Sequence, residues 1–330
     1  MHGKSYGGLL PNMTLKELRY AVAVATELHF GRAARKCFVS QPALSLAVQK
    51  LEDELGVVLF ERRKNDVLVT PAGERVVEQA RRALVEVDAI KEIAHVDKDP
   101  LDGDFRLGVI HTVGPYLLPE LVPALRARVP NMPLEIEENL TANLEAMLKR
   151  GTLDAIVVAL PLESPGIATR ALFDEPFHLL VPNDHPLAKR ASVSTDDVAG
   201  ERVLTLRAGN CFRDQVIAAC PGIARTGDRT EGDAQPLQGS SLETIRNMVA
   251  SGIGISVFPA SAVTRKHASR LCKAIPFAHP APSRRIALAW RDGFPRMAAI
   301  DALAEAIGSV AAAIAGRPAR SGGKRARRRS

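Results

Sequence analysis

No run of eighteen apolar residues occurs anywhere in the chain, so no segment reads as a membrane-spanning helix. The opening stretch, Met1 to Asn12, carries Lys4 but no apolar core, so no export signal is expected. The resulting expectation is a cytoplasmic protein without a membrane partner. Cysteine is scarce. The four present are too few for a disulfide scaffold and are expected to rest as thiols in a reducing compartment. Acid is missing from residues 317–330, where Arg317, Arg320, Lys324, Arg325, Arg327, Arg328 and Arg329 stand among glycines. Those seven positives equal the whole net charge of +7, which leaves the remaining body neutral. The basic tail is expected to be disordered, either adding salt-sensitive phosphate affinity or serving as a plain solvated end. High net charge is therefore weak evidence for nucleic-acid binding, and local residues must carry the argument.

Catalytic signatures are absent too. Gly252-Ile253-Gly254 lacks the third glycine and following helix of a dinucleotide fingerprint. The eight histidines are scattered, and no metal-ligand cluster or Ser/His/Asp set stands out. We expect neither a cofactor nor an enzyme.

What is present begins at Thr14. Leu15, Leu18, Ala21 (or Val22) and Ala25 recur at helical steps, and a short alanine-rich helix follows over Gly31–Cys37. Ser40 fits an N-cap, with Pro42 tolerated in the first turn of the next helix, Gln41–Leu55. That helix has two faces. Leu44, Val48, Leu51 and Leu55 form an apolar stripe, while Gln41, Ser45 and Gln49 present uncharged hydrogen-bonding groups four apart. Short amides and hydroxyls near a helix start suit base edges in the major groove, and Lys50 is placed to anchor a phosphate. Residues 57–70 read as a β-hairpin wing, with Arg62, Arg63 and Lys64 near its tip.

These residues carry a resemblance. Ala33-Ala34, Val39-Ser40-Gln41-Pro42-Ala43-Leu44-Ser45, Leu51-Glu52-Asp53-Glu54-Leu55-Gly56 and Leu59-Phe60-Glu61-Arg62 resemble the N-terminal signature of LysR-type transcriptional regulators. The resemblance implies a winged helix-turn-helix at 13–70 and binding to imperfect palindromes in double-stranded promoter DNA. It places Gln41, Pro42 and Ser45 at base edges and implies a homodimer or homotetramer, with RNA polymerase as a further partner.

Thr70-Pro71 opens a helix in which Val76, Ala80, Ala83, Val87, Ile90 and Ala94 make a heptad seam. We expect a dimerising linker at 71–97 and a hinge at 98–104, although such a helix can also pack on its own domain. From Phe105 strand and helix alternate: strands at 105–110, 134–138 and 153–159, helices at 117–128 and 144–150. Such βαβ order implies a parallel sheet. A second unit starts near 177–181 and continues through a helix at 242–250 and a strand at 254–258. A strand at 284–290 and a helix at 297–315 follow. The overall class is α/β. The resemblance makes the body two Rossmann-like, periplasmic-binding-protein-like subdomains, I at 105–175 with 280–316 and II at 176–279. The chain would cross between them near 173–176 and 276–283.

The segment 208–220 is the informative part of that body. Its helical composition puts Cys211 at a helix N-terminus beside Arg213, where the dipole and the guanidinium both favour a nucleophilic thiolate. Cys220 follows nine residues later, about 13–14 Å away along a helix. A disulfide needs Cα atoms within about 7 Å, so bridging the two would require melting that helix, which is the behaviour of a switch. The alternative is two unrelated buried cysteines acting as small hydrophobes. Thr112-Val113-Gly114-Pro115-Tyr116-Leu117-Leu118-Pro119, Leu172-Phe173-Asp174-Glu175-Pro176, Cys211 with Arg213-Asp214-Gln215, and Ser241-Leu242-Glu243-Thr244 resemble the peroxide-sensing LysR-type regulators.

That resemblance extends to about Gly316. It implies that hydrogen peroxide oxidises Cys211 to a sulfenic acid, which Cys220 condenses to a disulfide. Thr112 and Thr141 would bind peroxide, Arg285 would stabilise the thiolate, and Asp214 would be a local polar partner. A glutaredoxin or thioredoxin would restore the thiols, and antioxidant genes would be the targets. Asn210 stands where histidine is usual, His111 where proline is usual, and the connection from Cys220 to Ser241 is longer than in the best-known members. Cys37 and Cys272 read as packing residues. A LysR-type regulator answering to a small metabolite in the cleft, or a thiol peroxidase, are the competing readings.

Overall fold

A computed structural model describes residues 13–62, 66–96, 100–222, 238–264 and 270–314. The chain divides into two compact units, Met1–His95 and Val96–Ser330. Among the described residues no helix is long and apolar enough to cross a membrane.

In the first unit, helix α1 (Leu15–Glu27) starts on a capping box in which Thr14 and Glu17 satisfy each other's backbone amides. Helix α2 (Phe30–Lys36) is capped by the His29 imidazole, and α3 (Gln41–Leu55) by Ser40, with proline in its first turn. Gly56 ends α3 at φ +67°, a left-handed conformation that glycine adopts without strain. The core joins Leu18, Ala21 and Val24 to Ala33, Ala34, Leu44, Val48 and Leu51. One expected core position faces outward, Leu15, while Ala25 packs half-buried against the core beside the fully buried Val24. Leu55 is exposed as well, so the buried stripe of α3 ends at Leu51.

Strands β1 (Phe60–Arg62) and β2 (Val67–Val69) form the antiparallel wing, with Phe60 opposite Val69. Helix α4 (Pro71–Val96) lies so close to the wing that a Cβ on Gly73 would meet the Leu59 carbonyl oxygen at 2.2 Å. Val77 and Ala80 of α4 are buried in the head core, with Val76 and Ala83 packed against it. The seam expected for dimerisation is thus partly consumed at its N-terminal end, whereas Ile90 further on is exposed.

The second unit is built on β3 (Phe105–Ile110), α5 (Gly114–Arg128), β4 (Leu134–Asn139), α6 (Thr141–Lys149) and β5 (Ala155–Ala159). A long β6 (Ile167–Pro182) follows, then β7 (Thr205–Leu206), α7 (Cys211–Ala219) and β8 (Gln238–Gly239). Helix α8 (Leu242–Ala250), β9 (Ser256–Pro259), β10 (Cys272–Pro276), β11 (Ser283–Arg291) and α9 (Met297–Ile314) complete it. The sheet order is β10-β6-β11-β5-β3-β4, with β9 also on β6.

The expectation of a parallel sheet is corrected. β3 runs parallel to β4 and β5, but β11 is antiparallel to β5 and β6, and β9 and β10 are antiparallel to β6. The strands that leave and re-enter the first layer reverse direction, which an apolar pattern cannot encode. β6 is continuous through 173–176, where a crossover was expected. Its first part pairs with β11 and its last part with β9 and β10. Two cores result. One gathers Phe105, Leu117, Val157, Leu288 and Ile300, and the other Phe177, Val216, Cys220, Ile245 and Phe258.

Candidate DNA-reading face and thiol site

Gln41, Pro42 and Gln49 are exposed along α3, and Ser45 between them is half-buried. Arg62 of the wing stacks on Phe30, 4.3 Å from its ring centroid, and donates to Ser45 Oγ at 2.6 Å. Recognition helix and wing are thereby tied through one of the residues expected to read bases. Between them lies an open groove of about 630 Å³ lined by Ser45, Gln49, Glu52, Val58 and Arg62. Glu52 secures the groove's edge by accepting from the amides of Leu59 (2.6 Å) and Phe60 (3.1 Å). Leu46, 68% exposed beside Pro42 and Gln49, stands off the apolar stripe of α3 and was not singled out in the sequence. On a reading helix it suits a thymine methyl.

Lys50 was expected to anchor a phosphate. In the structure its ammonium pairs with the buried Glu17 carboxylate at 3.0 Å. Burial alone would raise Glu17, but the Thr14 amide together with Lys50 and the Thr14 hydroxyl holds it below the ordinary carboxylate range. A buried carboxylate needs that partner. Arg63, Lys64 and the basic tail lie outside the described residues.

In the second unit α7 carries Cys211 at its first position and is followed at once by Cys220. All four cysteines are free thiols. Cys211 is half-buried and packs against the first core, whereas Phe212, Val216 and Cys220 belong to the second. Cys220 is fully buried, and desolvation pushes its pKa up to about 11. Asn210, the N-cap, makes no side-chain capping bond, so the first amides of α7 are not capped by it. Arg213 Nη1 is engaged by Asp214 at 3.2 Å, while its Nε is buried without a partner among the described residues. Gln215 donates to the Leu160 carbonyl at 3.2 Å, tying α7 back to the strand end of the first core.

The two expected threonines border this helix by different routes. Leu140, next to Thr141, lies 3.6 Å from the Cβ position of Gly209, two residues before Cys211. Thr141 Oγ1 is buried with no hydrogen-bond partner among the described residues. Thr112, 2% exposed, accepts from Arg284 Nη1 at 2.7 Å, and that guanidinium lies 4.9 Å from the centroid of the Phe212 ring.

Arg285, the arginine expected to stabilise the thiolate, is exposed and bound to Asp174 at 2.7 Å. Strand alternation puts Arg284 inward, in phase with Ile286, and its side chain is fully buried against Glu175 at 2.7 Å. Glu175 in turn accepts from the Ser261 amide at 3.0 Å. A second polar link was also missed. Tyr116 donates to Glu243 at 2.9 Å, and the 6%-exposed Arg246 binds Glu243 at 3.0 Å and the Ala262 carbonyl. Among the described residues no cluster is built to hold a metal ion.

With this geometry in hand, comparison with known proteins is informative. Residues 15–74 match the bacterial regulatory helix-turn-helix family of LysR proteins, and residues 98–312 match the LysR substrate binding domain. The chain is 42% identical over 295 residues to the DNA-binding transcriptional dual regulator OxyR of Escherichia coli K12, covering 89% of this chain and 95% of that protein. It is 39% identical over 295 residues to the hydrogen peroxide-inducible genes activator of Haemophilus influenzae, covering 89% and 96%. Among solved structures, a full-length OxyR cysteine variant from Pseudomonas aeruginosa aligns with a TM-score of 0.77 at 46% identity, covering 94% of this chain and 99% of that one. A hydrogen-peroxide-bound OxyR cysteine variant from Corynebacterium glutamicum aligns at 0.61 and 31%, covering 95% of each.

Proposed function

The chain belongs to the LysR family of bacterial transcriptional regulators, and we propose that it is a peroxide-activated member that reads oxidation through Cys211 and Cys220. In this reading the thiolate of Cys211 attacks hydrogen peroxide. A sulfur–oxygen bond forms, the oxygen–oxygen bond breaks, and hydroxide leaves. The Cys220 sulfur then attacks the sulfenic acid, water departs and the disulfide closes. Sensing is stoichiometric and needs no cofactor. A cellular dithiol of the glutaredoxin or thioredoxin type reverses it.

One observation carries the reading: a single helix holds a half-exposed cysteine at its start and a sealed one just past its end. The helical rise separates them by about 13–14 Å, so closure demands that α7 unwind. Thr141 and Thr112 flank the start of that helix with uncommitted hydroxyl capacity, which suits a small, polar, uncharged oxidant.

We assign DNA recognition to 13–70, dimerisation to 71–97, the hinge to 98–104, and effector response to the two-core body, all in the cytoplasm. Gln41, Pro42, Ser45 and Gln49 face promoter DNA, with Arg62 behind Ser45. Exposed Ile90 continues the linker seam beyond the head and suits a partner helix in a dimer or tetramer. RNA polymerase is the downstream partner at antioxidant promoters.

The test is intact-mass analysis of alkylated protein before and after peroxide, with promoter footprints in parallel. Loss of two alkylatable thiols at Cys211 and Cys220 together with a changed footprint is expected. Peroxide that leaves both thiols free overturns the reading, and a full response from Cys211→Ser in cells favours a metabolite effector instead.

A further inference from the structure

We infer that Leu46 is a specificity-determining residue that reads the 5-methyl group of a thymine, while Gln49 beside it takes the adenine of the same T·A pair; this deepens the assignment of α3 to promoter DNA above. Helical phase sets the premise. Leu46 stands two positions from both Leu44 and Val48, which at 3.6 residues per turn turns it about 160° away from each of these core residues. It is 68% exposed, one turn past Pro42 and three residues before Gln49, and both of those are exposed as well.

A lone exposed leucine on a solvated surface needs no ligand. The neighbours of this one supply the reason for one. Lys50, a turn further on, draws its ammonium back to Glu17 at 3.0 Å, so no phosphate anchor stands over the leucine. On the other flank Arg62 of the wing donates to Ser45 Oγ at 2.6 Å, beside the open groove that Gln49 also lines. Between these two ties α3 presents apolar Pro42 and Leu46 next to the amide of Gln49. In the major groove a T·A pair shows the thymine methyl and O4, then the adenine N6 amino group and N7, and no other pair carries that methyl. A glutamine amide bonds N6 and N7 together. Cβ atoms three residues apart on a helix are about 5–6 Å from one another, a spacing that lets Leu46 and Gln49 share one pair. A C·G pair fails on both sides: the methyl is gone, and the Gln49 carbonyl meets guanine O6, acceptor against acceptor.

The experiment replaces each thymine of the footprinted operator in turn with deoxyuridine, which pairs as thymine does and lacks only the methyl, and measures binding of the full-length protein. At the one position per half-site that Leu46 covers, wild type should bind about fourfold more weakly per half-site, the worth of one methyl group taken from water. Leu46→Ala should bind the natural operator about fourfold or more weakly, and its deoxyuridine penalty at that position should shrink below about twofold. Leu46→Met, which keeps the apolar volume, should retain the penalty. 7-Deazaadenine opposite the same thymine should weaken wild type and Leu46→Ala alike and leave Gln49→Ala unaffected. Leu46→Ala should keep both the salt slope of binding and the melting temperature of the head, because no phosphate or core contact is lost. Deoxyuridine profiles that are identical in wild type and Leu46→Ala would overturn the assignment of Leu46. So would a Leu46→Ala protein that binds every operator normally and fails only to activate transcription, the mark of a leucine packed against polymerase. Sensitivity to 7-deazaadenine that survives in Gln49→Ala would overturn the shared pair. Wild-type protein with no sequence-selective footprint would overturn the assignment of α3 itself.

Discussion

On the proposed function, replacing the exposed Ala218 with glycine should speed closure of the Cys211–Cys220 disulfide about fivefold and leave the first oxidation untouched. Cys220 cannot attack from where it rests. Its pKa near 11 leaves about one thiolate in ten thousand at pH 7, against a few per cent for an ordinary cysteine. Along the intact helix it also stands roughly twice too far from Cys211. Both obstacles vanish only when α7 opens, which exposes Phe212 and Val216 at about 1.5–3 kcal/mol each. Closure is therefore proportional to the open population. Ala218 makes no side-chain hydrogen bond and faces solvent, so glycine there subtracts helix propensity and little else. The difference of about 0.8–1.0 kcal/mol corresponds to four- to fivefold more open helix.

Rapid mixing with peroxide, quenching into alkylating reagent, and intact-mass counting separates sulfenic acid from disulfide. In a Cys211→Ser background, alkylation of Cys220 reads opening directly and should rise by the same factor. Closure that is unchanged or slower in Ala218→Gly would show that opening of α7 does not limit the switch.

Three further outcomes follow from the same geometry. Because burial raises the Cys220 pKa, the closed helix is fully favoured below the ordinary thiol value and loses that support as pH climbs towards 11; the alkylation rate of Cys220 should keep rising with hydroxide up to about pH 11 instead of levelling near 9. Lys50→Met should lower the melting temperature of the head while leaving the salt slope of DNA binding unchanged, since the ammonium serves Glu17; a slope reduced by about one would mark Lys50 as a phosphate contact. Arg62→Met should relax discrimination at one operator position by about 1 kcal/mol or more, measured by competition with single-base variants, because Ser45 loses the partner that orients it.

How much of this was legible in the sequence depended on whether a residue's role is local. Caps and short-range periodicity revealed α3, the wing and α7 because Ser40, Gly56 and the apolar steps of each helix act within one turn. The separation of Cys211 and Cys220 was legible for the same reason, since nine residues of helix fix a distance; that the two form a pair is implied by the family resemblance alone. What stayed hidden was long-range. Lys50 finds Glu17 from 33 residues away, and Arg284 finds Thr112 across 172. Two adjacent arginines offer no local reason to prefer one, and only the phase of β11 turns Arg284 inward and leaves Arg285 to Asp174. Strand direction in the mixed sheet was equally hidden, because alternation reports faces and not polarity.

On the proposed function, the placement of α7 would let so small a chemical event be felt through the body. Were the helix packed in one core only, its opening would be a local loss. Instead Cys211 touches the first core, Phe212 and Val216 fill the second, and Gln215 fastens to Leu160 at the end of β5. The ring of Phe212 also covers Arg284, whose partner Glu175 sits on β6 where that strand passes from one core to the other. Drawing α7 apart to join the sulfurs strips apolar cover from a buried ion pair at the junction of the cores. Water entering there solvates each charge and weakens their mutual attraction, so the pair no longer holds its geometry. Disulfide closure should thus reset the angle between the cores as well as the loop, and Phe212→Ala, which removes the cover without oxidation, should shift reduced protein towards the oxidised footprint. A reduced Phe212→Ala protein with the unaltered reduced footprint would break that link.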